Sequence, residues 1–189
     1  MRAPMPLPVS EIARELTHTR RVRFEGYKRA DGLWDIEAHL YDVKSHDYPL
    51  KTGVRRAGEP VHEMWLRLTI DAQFNVRAAS AVSDAYPYAG GCETFGDVYG
   101  RLAGLNLLDG FSRGVRERVG GTLGCTHLTE MLGFFPTAAI QTFAGEMKEE
   151  RDDGSKPFQL DACHALVTTG ETVRRLYPRW YLGESKANA

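Results

Sequence analysis

Cysteine is scarce in this chain: three residues in 189, with no Cys-x-x-Cys pair among them. That is too few for a secreted disulfide framework and lacks the paired spacing of common zinc modules, so reduced thiols and a cytoplasmic protein are the expectation. Long apolar runs are also missing, and nothing approaches the ~20 residues of a membrane-spanning helix. The opening Met1-Arg2-Ala3-Pro4-Met5-Pro6-Leu7-Pro8 has prolines where a signal peptide would have its apolar stretch. Nor is there a basic excess. Lys and Arg number 24 against 25 Asp and Glu, a formal net charge of −1, so neither a nucleic acid nor an anionic membrane is expected as partner. What is present, 42% hydrophobic and 26% charged residues without repeats or low-complexity tracts, is an ordinary globular balance. A single domain over residues 1–189 with flexible ends is the expectation.

Alternation dominates the first half. After a short helix expected at Glu11 to Leu16, Val22 and Phe24 lead to Ala30-Asp31-Gly32, and Asp-Gly between two strand-like runs predicts a hairpin. Trp34, Ile36, Ala38 and Leu40 then share one parity, with Asp35, Glu37 and His39 on the other, the period of a half-buried strand. Residues 44–60 read as a loop carrying Lys51, Arg55 and Arg56. The alternation returns with His62, Met64, Leu66, Leu68 and Ile70, turns near Asp71 to Gln73, and continues through Phe74, Val76, Ala78, Ser80 and Val82. The pattern predicts a four-stranded antiparallel meander, strands at about 18–83, with one apolar face that the second half must cover.

Helical spacing begins near residue 93 and runs to about 178. Gly96, Gly100 and Gly104 fall on one face of any helix through Val98 and Leu102, and each costs a helix ~1 kcal/mol relative to alanine, so close backbone packing is the expected reason for them. Leu107, Leu108, Phe111, Val115 and Val119 mark a second helix that Gly120-Gly121 ends. Leu128, Met131, Leu132, Phe134 and Phe135 mark a third, kinked or restarted at Pro136. Residues 146–156 read as an exposed charged loop, and a last helical stretch from Leu160 holds Cys163 and His164. The fold class that results is α+β, with C-terminal helices on one face of an N-terminal sheet.

The candidate chemistry centres on Gly124-Cys125-Thr126-His127. Residues i and i+2 share a side only on extended backbone, so Cys125 and His127 act together only if both precede the helix. A thiolate at that turn would be favoured by the helix N-terminus. One reading joins Cys92, Cys125 and His127 in a zinc or iron–sulfur site, with Asp84 as the foremost fourth ligand and His62, Cys163 or His164 behind it. A second makes His62, Cys125 and His127 catalytic groups of a lyase or hydrolase acting on an aromatic or acyl substrate, in a pocket lined by Trp34, Trp65, Tyr86 and Tyr88. A third has the cysteines and histidines serve packing alone, in an interaction module. Arg20, Arg21, Arg23, Lys28 and Arg29 form a basic cluster that either binds phosphate or is the wet face of a strand.

Several of these segments carry a family resemblance. Residues 27–37, His62-Glu63-Met64, Pro87, Cys92, Leu102-Ala103-Gly104 and residues 124–128 resemble a bacterial family known only as domain of unknown function 2889. The resemblance spans roughly residues 18 to 180 and implies no activity. In order of elements the chain is also similar to the NifU-type iron–sulfur scaffold: a meander, a cysteine after the last strand, then helices and a late cysteine and histidine. That likeness is one of fold only: the scaffold's late motif is an adjacent His-Cys, whereas Cys125 and His127 here are separated by Thr126, and the scaffold's middle cysteine has no counterpart between Cys92 and Cys125.

Overall fold

The strand β2 (Trp34–Lys44) sets the architecture: Trp34, Ile36, Ala38, Leu40 and Asp42 are buried, while Asp35, Glu37, His39 and Tyr41 are half-buried on the opposite face. In the computed structural model, which describes residues 7–144, 146 and 154–183, this strand pairs antiparallel with β1 (His18–Lys28) and β5 (Pro60–Ile70). With β6 (Val76–Ala85) the sheet runs β1-β2-β5-β6, the expected four-stranded antiparallel order. The chain separates into two compact units, residues 1–142 and 143–189. No described helix is long and apolar enough to cross a membrane.

The first unit covers one face of this sheet. Two 3₁₀ turns (Cys92–Phe95 and Asp97–Leu102) are followed by α1 (Phe111–Val119), α2 (Thr126–Met131), a 3₁₀ turn (Leu132–Phe134) and α3 (Phe135–Phe143). The helical layer contributes Tyr99, Leu102, Val119, Leu128, Met131, Leu132 and Phe135, all nearly inaccessible, as are Ile36, Leu40, Met64, Leu66, Leu68 and Ile70 of the sheet. Each such side chain stabilises the unit by roughly 1.5–3 kcal/mol relative to its exposed state. Phe24 of β1 meets Phe135 edge to face at 5.2 Å between ring centroids.

Within the first unit, four details depart from the sequence reading. Residues 11–16 form no helix, because six residues cannot nucleate one unaided; Ile12 N–H instead bonds the Ser10 hydroxyl. Residues 44–60 contain a small hairpin, β3 (Tyr48–Leu50) with β4 (Gly53–Arg55). A bulge between Thr69 and Ile70 pairs Ile70 with Val76 but Thr69 with Ala78, which switches the parity of β6. Val76 therefore faces the core while Val82, 55% exposed, faces away, and Phe74 lies in the turn. The glycine series has separate causes as well. A Cβ on Gly96 would stand 2.7 Å from the Ala81 carbonyl oxygen, Gly104 turns the chain at φ 85°, and Gly100 has open space around it.

The second unit has α4 (Glu171–Leu176) between 3₁₀ turns His164–Leu166 and Pro178–Trp180. No helix runs from Leu160: Asp161 sits at φ 64°, where its carboxylate accepts from Thr168 N–H and hydroxyl and closes a loop. Most of the charged run at 146–156 and the tail at 185–189 lie outside the described residues.

Candidate metal centre

Antiparallel register brings three polar residues into a row on the helix-covered face. Arg20 of β1 pairs across to Asp42 of β2, and Asp42 pairs across to His62 of β5. Each continues an apolar parity, Arg20 that of Val22 and Phe24, Asp42 that of Leu40, and His62 that of Met64. Immediately beyond Asp42 the β2–β5 ladder shifts register. Such irregularities re-aim side chains and often adjoin functional groups. His127, the second residue of α2, completes the group: its ring lies 3.9 Å from that of His62, tilted by 33°.

Asp42 is the hub. Its side chain is 2% exposed, and Arg20 grips it with two hydrogen bonds of 2.8 Å, Nε to Oδ1 and Nη2 to Oδ2. Nη1 of Arg20 reaches Glu130 of α2 at 3.2 Å, and His18 Nε2 is 3.3 Å from Asp42 Oδ1. His62 Nδ1 lies 3.2 Å from Asp42 Oδ2, within ion-pair range, but it is buried and out of line for a hydrogen bond. Burial opposes ionisation of Asp42, yet the Arg20 hydrogen bonds and charge hold its carboxyl below the usual range. Burial, then the neighbouring His127, draws His62 down to about 4. Burial and the Arg20 charge lower His127. At neutral pH the site is thus one carboxylate and two uncharged imidazoles.

Ligand atoms of Asp42, His62 and His127 lie within 4.8 Å of one another, the one such group among the described residues. Of the residues singled out from sequence, His62 and His127 converge and the others do not join them. Cys125 is the N-cap residue of α2, with extended φ −87° and ψ 131°, but the helix begins at Thr126, so the extended backbone that would align Cys125 with His127 stops one residue short. Tyr99, wholly buried, fixes this corner: its hydroxyl accepts from Cys125 N–H at 3.0 Å and donates to the Cys125 carbonyl or to Thr129. Cys92 opens the 3₁₀ turn after β6, and Cys163 is exposed in the second unit. Asp84 accepts from the Trp65 indole at 2.9 Å, on the sheet face opposite His62. The set Cys92, Cys125, His127 and Asp84 therefore forms no ligand cluster, because strand parity and the helix start send its members to different places.

The four aromatics expected to share a pocket are likewise divided. Trp34 borders a cavity with Lys28 and Ala138, Trp65 one on the opposite sheet face, and Tyr86 one under the β3–β4 hairpin, while Tyr88 is exposed. The basic cluster separates too. Arg20 turns inward to Asp42, Lys28 lies over the Trp34 ring, Arg29 pairs with Asp31 and Asp35, and Arg21 and Arg23 line a cavity on the outer face. Asp42 and Arg20 were the residues missed as site members. The available signal was a carboxylate and a guanidinium each continuing an apolar parity.

Fold and site define an α+β protein with an Asp/His cluster, its carboxylate buried and its imidazoles half-buried, on a helix-backed sheet. The chain belongs to the family described as Protein of unknown function (DUF2889), whose sequence model matches residues 18–141, a span that contains every member of the cluster. No curated protein and no solved structure matches it.

Proposed function

We propose that this protein binds a single divalent first-row metal ion through Asp42, His62 and His127. The observation that carries the reading is the His62–Asp42 contact. A buried Nδ1 with no hydrogen bond lies 3.2 Å from a carboxylate oxygen, an arrangement that a shared cation relieves. Two bonds of ~2.1 Å spanning that gap subtend roughly 100°, between octahedral and tetrahedral angles. Uncharged imidazoles and an ionised carboxylate are the protonation states a metal requires. Arg20 takes the part of an outer partner that orients a ligating carboxylate. Nitrogen and oxygen donors without thiolate favour zinc or iron(II) over an iron–sulfur cluster, and two histidines with one carboxylate leave positions for water or a small-molecule ligand.

The test is metal analysis of protein purified without chelator, followed by titration of chelated protein with Co²⁺. One equivalent of metal and a cobalt ligand-field spectrum, both lost in His62→Ala and His127→Ala, support the reading. Metal-free protein that gives no cobalt spectrum overturns it. A second reading, proton transfer to a small substrate by His62 and His127, draws on the same Asp42–His62 contact and on the lowered His62, which is an uncharged base at neutral pH.

A further inference from the structure

The sheet face away from the described helices of the first unit carries a second constellation, independent of the metal reading. Register sets it out as a grid: Arg21, Tyr41 and Glu63 lie across β1, β2 and β5 in one row, and Arg23, His39 and Trp65 in the next. These residues share a parity, so their side chains rise from the same face. The centre is tied together by three contacts. His39 stacks on Trp65 at 3.7 Å and 11°, Glu63 Oε1 is 3.1 Å from His39 Nε2, and Asp84 holds the Trp65 indole.

On one side of this stack is a cavity of about 340 Å³ lined by Arg21, Arg23, His39, Tyr41 and Glu63. On the other is a cavity of about 290 Å³ whose lining includes Trp65, Leu66 and Val82. An ordinary wet face settles its charges in pairs, as Arg67 does with Glu37 at 2.6 Å. Arg21 does not: among the described residues it makes no ion pair, and the Tyr41 hydroxyl makes no hydrogen bond. Arg23 has only Glu25, at 3.5 Å. The carboxylate that borders the basic cavity, Glu63, is already engaged by His39.

We propose that this face binds a small amphipathic organic anion, its carboxylate or phosphate held by Arg21, Arg23 and Tyr41 and its apolar body lying across Trp65 towards Val82. Two guanidinia two residues apart on one strand present donors to an oxyanion from adjacent positions, and a phenol hydroxyl adds a third donor. With strands ~4.8 Å apart, Trp65 on β5 stands two strand spacings, ~10 Å, from Arg21 and Arg23 on β1, within the span of a medium acyl chain.

The full chain, held in chelator to silence the metal site, is titrated with octanoate and separately with inorganic phosphate. Trp65 indole N–H and Tyr41 resonances and heat are the readouts. The proposal expects saturable octanoate binding with shifts at Trp65 and phosphate weaker by at least about tenfold. It further expects octanoate affinity to fall about tenfold in Arg21→Ala and Trp65→Phe but to be unchanged in His62→Ala. Arg21→Lys, which keeps the charge, should recover part of the loss. Absence of saturable octanoate binding, equal affinity for phosphate, or binding undiminished in Arg21→Ala overturns it.

Discussion

Asp42 and His62 face each other across β2 and β5 with Oδ2 and Nδ1 3.2 Å apart, the carboxylate nearly inaccessible and the imidazole nitrogen without a hydrogen bond. A buried carboxylate needs compensation, and Arg20 supplies most of it from the other side.

Arg20→Met should destabilise the fold by about 2–4 kcal/mol, because it strands a buried carboxylate whose remaining neighbours are histidines. Urea unfolding at neutral pH measures the loss. The double variant Arg20→Met, Asp42→Leu should recover much of it, since removing both partners leaves no buried charge uncompensated. A double variant no more stable than the single one would mean that the ion pair is not what Arg20 contributes.

The two ligand sets separate by substitution. Cys92→Ser and Cys125→Ser should leave metal affinity within about twofold, whereas His62→Ala, His127→Ala or Asp42→Asn should lower it by about a hundredfold or more. Calorimetric titration with Zn²⁺ decides this. A cysteine variant as damaging as a histidine variant would return the thiolates to the site.

In chelated protein, stability should fall on acidification between pH 6.5 and about 4. His62 is lowered from its ordinary value of 6.5 to about 4, so across that window the unfolded chain binds a proton that the native state refuses. The contribution is fully present above 6.5 and is lost as pH falls towards 4, amounting to about 3 kcal/mol. The lowered His127 acts in the same direction. Unfolding free energies at half-unit pH intervals should show a slope that flattens in His62→Gln. An unchanged slope would place the titration elsewhere.

Tyr99→Phe should cost about 1–3 kcal/mol, since it removes the acceptor of Cys125 N–H in a buried corner. The same change loosens the start of α2, from which His127 projects, so metal affinity should fall along with the melting temperature. A variant that loses stability but binds metal unchanged would show that α2 is positioned by its apolar contacts alone.

Much of the fold was legible because its signals are local. Trp34 to Leu40 and His62 to Ile70 alternate with the period of a strand, and the apolar spacing at Phe111 to Val119 and Leu128 to Phe135 is helical. The parity reversal after Val76 was not legible, since a bulge is set by pairing with Thr69 and Ile70 rather than by the residues of β6 themselves. The hydrogen bonding of the α2 N-cap was also not legible, since the Cys125 amide is taken by a tyrosine 26 residues earlier in the chain.

The candidate site divides in the same way. Sequence alone set His62 at the mouth of an apolar face and His127 beside a helix start, because strand parity and glycine-rich turns are properties of short segments. Only tertiary structure decided that Asp42, rather than a cysteine, joins them. Register across three strands aligns Arg20, Asp42 and His62, and a helix from the second half of the first unit brings His127 onto that row. Such a meeting depends on pairing between residues 20 to 110 positions apart, and no local pattern records it.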